Sequence, residues 1–163
     1  VVEVGVYKGG SIEYYAPHTR RKIYGFDTFQ GLPPADDRYD THKEGDFSDT
    51  DFLVVKESLS RFHNVDLWPG IFPHTHEDEG GDLFFPERVA VAHIDVDLYN
   101  STIESLRALH PRLLVGGYFV IDDYAAVSCP GAALAVHEFL SEYKSQYLVR
   151  SVITSQITLE KIK

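Results

Sequence analysis

Two apolar runs, VAVAHIDVD (89–97) and GGYFVIDD (116–123), each stop on aspartates: Asp95 and Asp97 in the first, Asp122 and Asp123 in the second. Runs this short and this continuously apolar read as strands buried on both faces, which belong to a parallel sheet sheathed by helices. The aspartates then meet at one edge of that sheet. Negative charge gathered beside a hydrophobic sheet is costly unless a cation or hydrogen-bond donors balance it. A divalent metal is the natural counter-charge.

The rest of the chain alternates in the same way. VVEVGV (1–6) reads as a first strand, a glycine-rich turn leads into SIEYYAPH as a short helix, and KIYGFD (22–27) reads as a second strand. The polar connection 28–48, holding GLPPADD and THKEGDF, is too long for a mere connector in a compact domain and is expected to be functional. Phe52, Val55, Leu59 and Phe62 recur at helical spacing before a third strand, VDLWPG (65–70). After the fourth strand comes a helix with Tyr99, Ile103, Leu106 and Leu109 on its apolar face and a capping box at Ser101 and Glu104, ended by Pro111. A last helix follows Pro130, with Ala132, Val136, Phe139, Leu140 and Tyr143 on one side. QYLVRSVIT and QITLEKI then read as a C-terminal antiparallel hairpin. The pattern predicts one α/β domain over 1–163, a doubly wound, mainly parallel sheet that binds ligands beyond the carboxyl ends of its strands.

A net charge of −10 with fifteen scattered basic residues argues against binding nucleic-acid phosphates. No apolar stretch approaches the roughly 18–20 residues of a membrane span. The single cysteine, Cys129, cannot close an internal disulfide, so a reducing, cytoplasmic setting is expected. The sequence opens directly on a strand without an initiating methionine, and an N-terminal part is expected to precede it.

EVGVYKGGS places Gly5, Gly9 and Gly10 in the turn after the first strand, where a backbone can pass close to a ligand. A dinucleotide site would carry G-x-G-x-x-G, but Tyr7 stands where the second glycine belongs, which disfavours a pyrophosphate ligand. Asp27 ends the second strand 22 residues beyond Gly5, the place of a carboxylate that accepts ribose hydroxyls. Glu3, a charge inside an apolar strand, needs a partner, which the ammonium of a methionine tail or a backbone network around it could supply. A tight turn and a solvent-facing strand-end acid are the plainer readings of the glycines and Glu3. In order and at these spacings, the set favours a nucleoside site.

VEVGVYKGGS, YGFDTFQGLPP, EGDF, PGIFPHT, IDVDLYNST and GGYFVIDDY together resemble the macrocin O-methyltransferase family, the S-adenosylmethionine-dependent sugar O-methyltransferases of macrolide and aminocoumarin biosynthesis. The resemblance runs over nearly the whole chain. It implies a class I methyltransferase (Rossmann-like) sheet, an S-adenosylmethionine site at the first three strand ends, and Mg2+ held after the fourth and fifth. Matched position by position, it implies Asp95, Asp122 and Asp123 as metal ligands and Asp95 also as general base. The cofactor residues it implies are Glu3, Gly5, Gly10, Asp27, Asp46 and Phe47. Val96 departs from the small residue usual between the two aspartates of the fourth-strand motif. The family's N-terminal helical region, which the resemblance implies helps cover the site and build a homo-oligomer, has no counterpart in this sequence. The acceptor implied is a hydroxylated small molecule, a sugar or glycosylated compound, with neither nucleic acid nor membrane as partner.

Beside this stand a catechol-like or other metabolite acceptor on the same fold, and a non-catalytic nucleoside-binding or assembly domain. His93, two residues before Asp95 on the same strand face, reads as a hydrogen-bonded core histidine rather than a base, and His137 as a helix-surface residue. His74, His76, Glu77 and Asp78 in PHTHEDE invite a zinc reading but lack a closed structural ligand spacing and read as a solvated loop. Asp97 and Asp123 could serve only as helix caps. Of Phe26, Phe29, Phe47, Trp68 and Phe72, all near proposed strand ends, Phe47 is the one expected at the cofactor.

Overall fold

The computed structural model describes residues 1–74 and 86–163. Its strands are β1 (Val2–Val4), β2 (Ile23–Asp27), β3 (Val65–Pro69), β4 (Val89–Ile94), β5 (Leu113–Ile121), β6 (Tyr147–Ile153) and β7 (Gln156–Lys161). Its helices are α1 (Gly10–Tyr15), α2 (Phe52–Leu59), α3 (Tyr99–Leu109) and α4 (Pro130–Tyr143). The strands form one seven-stranded sheet in the order β3-β2-β1-β4-β5-β7-β6. β1 to β5 run parallel, and β7 enters antiparallel to β5 with β6 antiparallel beyond it. The predicted class I methyltransferase topology with its C-terminal antiparallel hairpin is the one observed. In this order the chain leaves β1 toward β2 and β3, then returns to lay β4 on the other side of β1. That reversal opens a crevice at the carboxyl ends of the strands.

Each sheet face carries its own apolar layer. On one, Ile103, Leu106 and Leu109 of α3 join Ala135, Val136 and Phe139 of α4 to cover Val2, Val4, Phe119 and Leu159 of the sheet. On the opposite face Ile12 of α1 and Val55 and Leu59 of α2 pack on Val6, Ile23 and Phe29. Phe119 anchors the first layer: its ring stacks on Tyr147 at 5.7 Å between centroids and meets Phe139 edge-on at 5.9 Å. The helical spacings read from the sequence thus predict the buried stripes of α2, α3 and α4, with Phe52, Phe62, Tyr99, Leu140 and Tyr143 at their half-buried margins.

Two local expectations are corrected. The capping box at Ser101 and Glu104 does not form, because α3 starts earlier, with Leu98 rather than Ser101 at its N-cap. Asp40, brought from the long 28–48 connection, accepts the Tyr99 amide at 2.8 Å and does the cap's work from a distance. β5 begins at Leu113 rather than at residue 116, and an irregularity in its pairing with β4 between Val89 and Val91 absorbs the extra length. Among the described residues no helix is long and apolar enough to cross a membrane. Of the acidic-histidine loop, His76, Glu77 and Asp78 lie outside the described residues; His74 sits 3.9 Å from Glu104.

Removing the Phe139 ring, fully buried against the rings of His110, Phe119, Tyr143 and Tyr147, is expected to cost about 3–5 kcal/mol. Val127→Ala, at a position 96% exposed, is expected to stay within about 0.5 kcal/mol. Urea unfolding of both variants checks the pair.

Candidate active site

A cavity of about 250 Å³ opens where the five parallel strands end, and residues from every end line it, among them Gly5, Asp27, Gly70, Asp95 and Asp123. Its floor depends on a close approach between the chain leaving β1 and the chain leaving β4. Gly5 has a φ of +90°, and a Cβ built there would lie 1.7 Å from the Asp95 carbonyl oxygen. A side chain at this position would push the two strand ends apart. Gly10 is different: it opens α1, does not line the cavity and has open space around a built Cβ.

Asp27 organises the turn after β1. Its Oδ2 accepts the amides of Val6 at 2.8 Å and Tyr7 at 2.7 Å, while Oδ1 accepts the Phe29 amide at 2.7 Å. Tyr7 and Phe29 both hold positive φ, and Asp27 ties down both bends. The carboxylate therefore lines the cavity while serving as a backbone clamp, and Oδ1, with one amide on it, keeps a lone pair for a ligand.

Asp95 and Asp123 face the cavity from β4 and β5, joined by Asp97. Burial first, then the charges of Asp122 and Asp123, push the Asp95 carboxyl up to about 7 against the pull of His93. Asp97 is also raised, by burial and by Asp123, and Asp123 is raised chiefly by burial. Asp122 behaves oppositely. Its Oδ2 lies 2.7 Å from His93 Nε2 and its Oδ1 accepts from Gln156 at 2.7 Å, and the histidine contact holds its carboxyl below the usual range. Asp122 does not line the cavity; it stands behind Asp95, and potential ligand atoms of His93, Asp95 and Asp122 all lie within 4.8 Å of one another.

Below this edge runs a buried polar chain. Glu3 is fully buried in β1, in register with His93 on β4, and one of its oxygens accepts the Tyr15 hydroxyl. The same oxygen is 3.5 Å from His93 Nδ1. Burial alone would lower the His93 pKa, but Asp122 and Glu3 outweigh it and raise it to about 10. His93 is thus the hydrogen-bonded strand histidine expected. Glu3 faces neither solvent nor the cavity: its partners are Tyr15 and His93.

The 28–48 connection closes the other side. Phe47, at a φ of +62°, lines the cavity and meets Tyr7 edge-on at 6.0 Å. Asp46 does not line it; its Oδ2 accepts the Lys43 amide at 3.0 Å and lies 3.1 Å from His42 Nδ1. Phe26 and Phe72, 4.8 Å apart, give the cavity an apolar wall, whereas Trp68 and Phe29 stay away from it. His137 is on the helix surface as expected, 2.9 Å from the Tyr124 hydroxyl.

Residues 1–155 match the family described as macrocin-O-methyltransferase (TylF). The chain belongs to the macrocin O-methyltransferase family. It is 30% identical over 154 residues to the mycinamicin III 3''-O-methyltransferase of Micromonospora griseorubida, covering 85% of this chain and 59% of that protein. It is 32% identical over 160 residues to the demethyldecarbamoylnovobiocin O-methyltransferase of Streptomyces niveus, covering 88% of this chain and 58% of that protein. The chain thus spans less than two thirds of the length of these relatives. In fold it resembles the O-methyltransferase NovP, with a TM-score of 0.78 and 24% identity over all of this chain and 72% of that one. The calicheamicin methyltransferase CalS11 gives a TM-score of 0.77 at 23% identity, over 98% of this chain and 71% of that one.

Sequence reasoning missed three features of this macrocin-family site: the clamp made by Asp27, the grip of Gln156 on Asp122, and the capping role of Asp40. Apart from the Phe29 amide on Asp27, these contacts have no local signal, since each joins segments at least 20 residues apart. The metal-free site should be destabilised by its own charge. An acid whose folded pKa is raised costs stability above that pKa, and the cost fades as pH falls toward the unfolded value near 4. Asp95→Asn is therefore expected to stabilise the metal-free protein at pH 8, by on the order of 1 kcal/mol or more, with the gain gone by about pH 4. Urea denaturation across that range reads it.

Proposed function

We propose that this chain carries the core of an O-methyltransferase that moves a methyl group from S-adenosylmethionine to a hydroxyl of a sugar or glycosylated small molecule, with Mg2+ at the acceptor. The observation that carries the reading is membership of the macrocin O-methyltransferase family, combined with acids from β4 and β5 facing a cavity that Gly5 and Asp27 also line.

The donor set suits the metal. Asp95 and Asp123 offer carboxylate oxygens that neighbouring acids leave short of counter-charge, and Asp122 has lone pairs beyond those used by His93 and Gln156. Mg2+ on Asp95, Asp122 and Asp123 would supply Lewis-acid charge that lowers the acceptor hydroxyl's pKa. S-adenosylmethionine, with Gly5, Asp27 and Phe47 as its holders, would supply the electrophilic methyl group.

The chain's own groups do the remaining work. Asp95 is also placed to accept the hydroxyl proton, which it would do by giving up part of its hold on the metal. Gln156 and His93 fix Asp122 on both oxygens, so its orientation does not depend on substrate. Phe26 and Phe72 keep one wall dry, which strengthens the electrostatics within. Glu3 contributes through His93, and Asp46 through the loop that presents Phe47.

Calorimetry of the full chain with S-adenosylmethionine is expected to give saturable 1:1 binding. An absence of binding to folded, ligand-free protein would refute the reading. With a glycosylated hydroxyl acceptor, Asp95→Asn is expected to lower kcat by about 10²–10⁴-fold while sparing cofactor binding. Binding of Mg2+ requires Asp95 ionised, so its affinity should rise as pH increases through about 7.

A further inference from the structure

Beside the aspartates of β4 and β5 lies a second group of metal-ligating atoms that the proposed reaction does not use. His42 comes from the 28–48 connection, Asp97 from the chain leaving β4, and Cys129 from the residue that precedes α4. One potential ligand atom from each lies within 4.8 Å of the other two. We propose that His42, Asp97 and Cys129 form a separate site for a borderline-soft divalent cation of the zinc class.

Three observations support it. The donors are nitrogen, oxygen and sulfur, a set that suits zinc-class ions and not Mg2+. Cys129 Sγ is 3.5 Å from Asp97 Oδ1, close to the roughly 3.6 Å edge of a tetrahedron built with ordinary zinc–sulfur and zinc–oxygen bonds. His42 Nδ1 is held at 3.1 Å by Asp46, the carboxylate–histidine pairing that orients metal-bound imidazoles, which leaves Nε2 as the free ring nitrogen. A thiol donating weakly to Asp97 would account for the second contact but not for the histidine and its orienting carboxylate.

Cys129 is 2% exposed and the His42 side chain 23%, so the ion would be sheltered on the sheet side and reached from the loop side. Closing the set would draw the three donors from within 4.8 Å of one another to the roughly 3.3–3.6 Å edges of a zinc tetrahedron, an adjustment that an imidazole on a surface connection can supply. Binding would displace the thiol proton to solvent and leave a fourth position for water. Asp123 interacts with both Asp95 and Cys129 and so links this site to the proposed Mg2+ site. The ion would join the long connection to the start of α4, and Phe47, whose ring is 5.3 Å from that of His42, would be fixed with it.

Co2+ is the probe: it is titrated into the full chain under saturating Mg2+ and read by absorption. The expected result is a 1:1 thiolate-to-cobalt charge-transfer band that Cys129→Ser abolishes and Asp95→Asn retains. Because Cys129 is the chain's single cysteine, the band has one source. His42→Gln is expected to weaken Co2+ at least about tenfold, and Asp46→Asn roughly ten- to a hundredfold. These two substitutions lie on the surface connection and carry the test if Cys129→Ser fails to fold. No thiolate band with folded wild-type protein would overturn the proposal. So would a band that Mg2+ displaces, or one whose midpoint neither His42→Gln nor Asp46→Asn shifts. Asp95→Asn keeps this outcome distinct from failure of the Mg2+ reading.

Discussion

Mutual repulsion among carboxylates at one sheet edge is the constraint around which this structure is arranged. Asp95, Asp97 and Asp123 are each raised by burial and by other acids nearby, so the edge is built at an electrostatic cost. Asp122 escapes because His93 and Gln156 hold it. Folded without a cation, such an edge is tolerable only because the apolar layers on both sheet faces supply the stability it withholds. The same imbalance would favour a cation at this edge.

Backbone contact turns this edge into a cleft. The Gly5 turn passes so near the Asp95 carbonyl that no side chain fits between them, and Asp27 holds that turn and the one after β2 through three amides. Gly5 and Asp27 belong to the ends of β1 and β2, the acids to those of β4 and β5, and the order in which strands are added reverses between β1 and β4. A glycine turn with its clamping carboxylate and an acid pair, distant in sequence, are thereby brought to line one cavity. The long connection completes the wall and caps α3 through Asp40, which couples the cavity's shape to the helix that follows β4.

The parallel strands and the buried helix stripes were legible because they depend on periodicity within one segment. Val55 and Leu59, or Ile103, Leu106 and Leu109, are buried for reasons visible within a few turns of helix. The acids were legible too, since an Asp at the end of an apolar run needs a reason. What escaped was the choice of partner. Ser101 carried the local pattern of a cap, but the Tyr99 amide is capped by Asp40, 59 residues away in sequence. Glu3 announced a need for company without naming Tyr15 and His93. Gly10 looked like part of a ligand turn, yet of the three glycines after β1 only Gly5 meets backbone closely enough to require glycine on both counts of space and φ.

The central claim is that the acids of β4 and β5 gather one divalent ion next to the site of a methyl donor. Crystals grown with S-adenosylhomocysteine and Mn2+, with anomalous scattering used to find the metal, test it directly. The account predicts one peak bridging Asp95 and Asp123, with Asp122 alongside, and the nucleoside between Gly5, Asp27 and Phe47. Bound S-adenosylhomocysteine with no peak at these carboxylates, or with the metal held elsewhere, would contradict it.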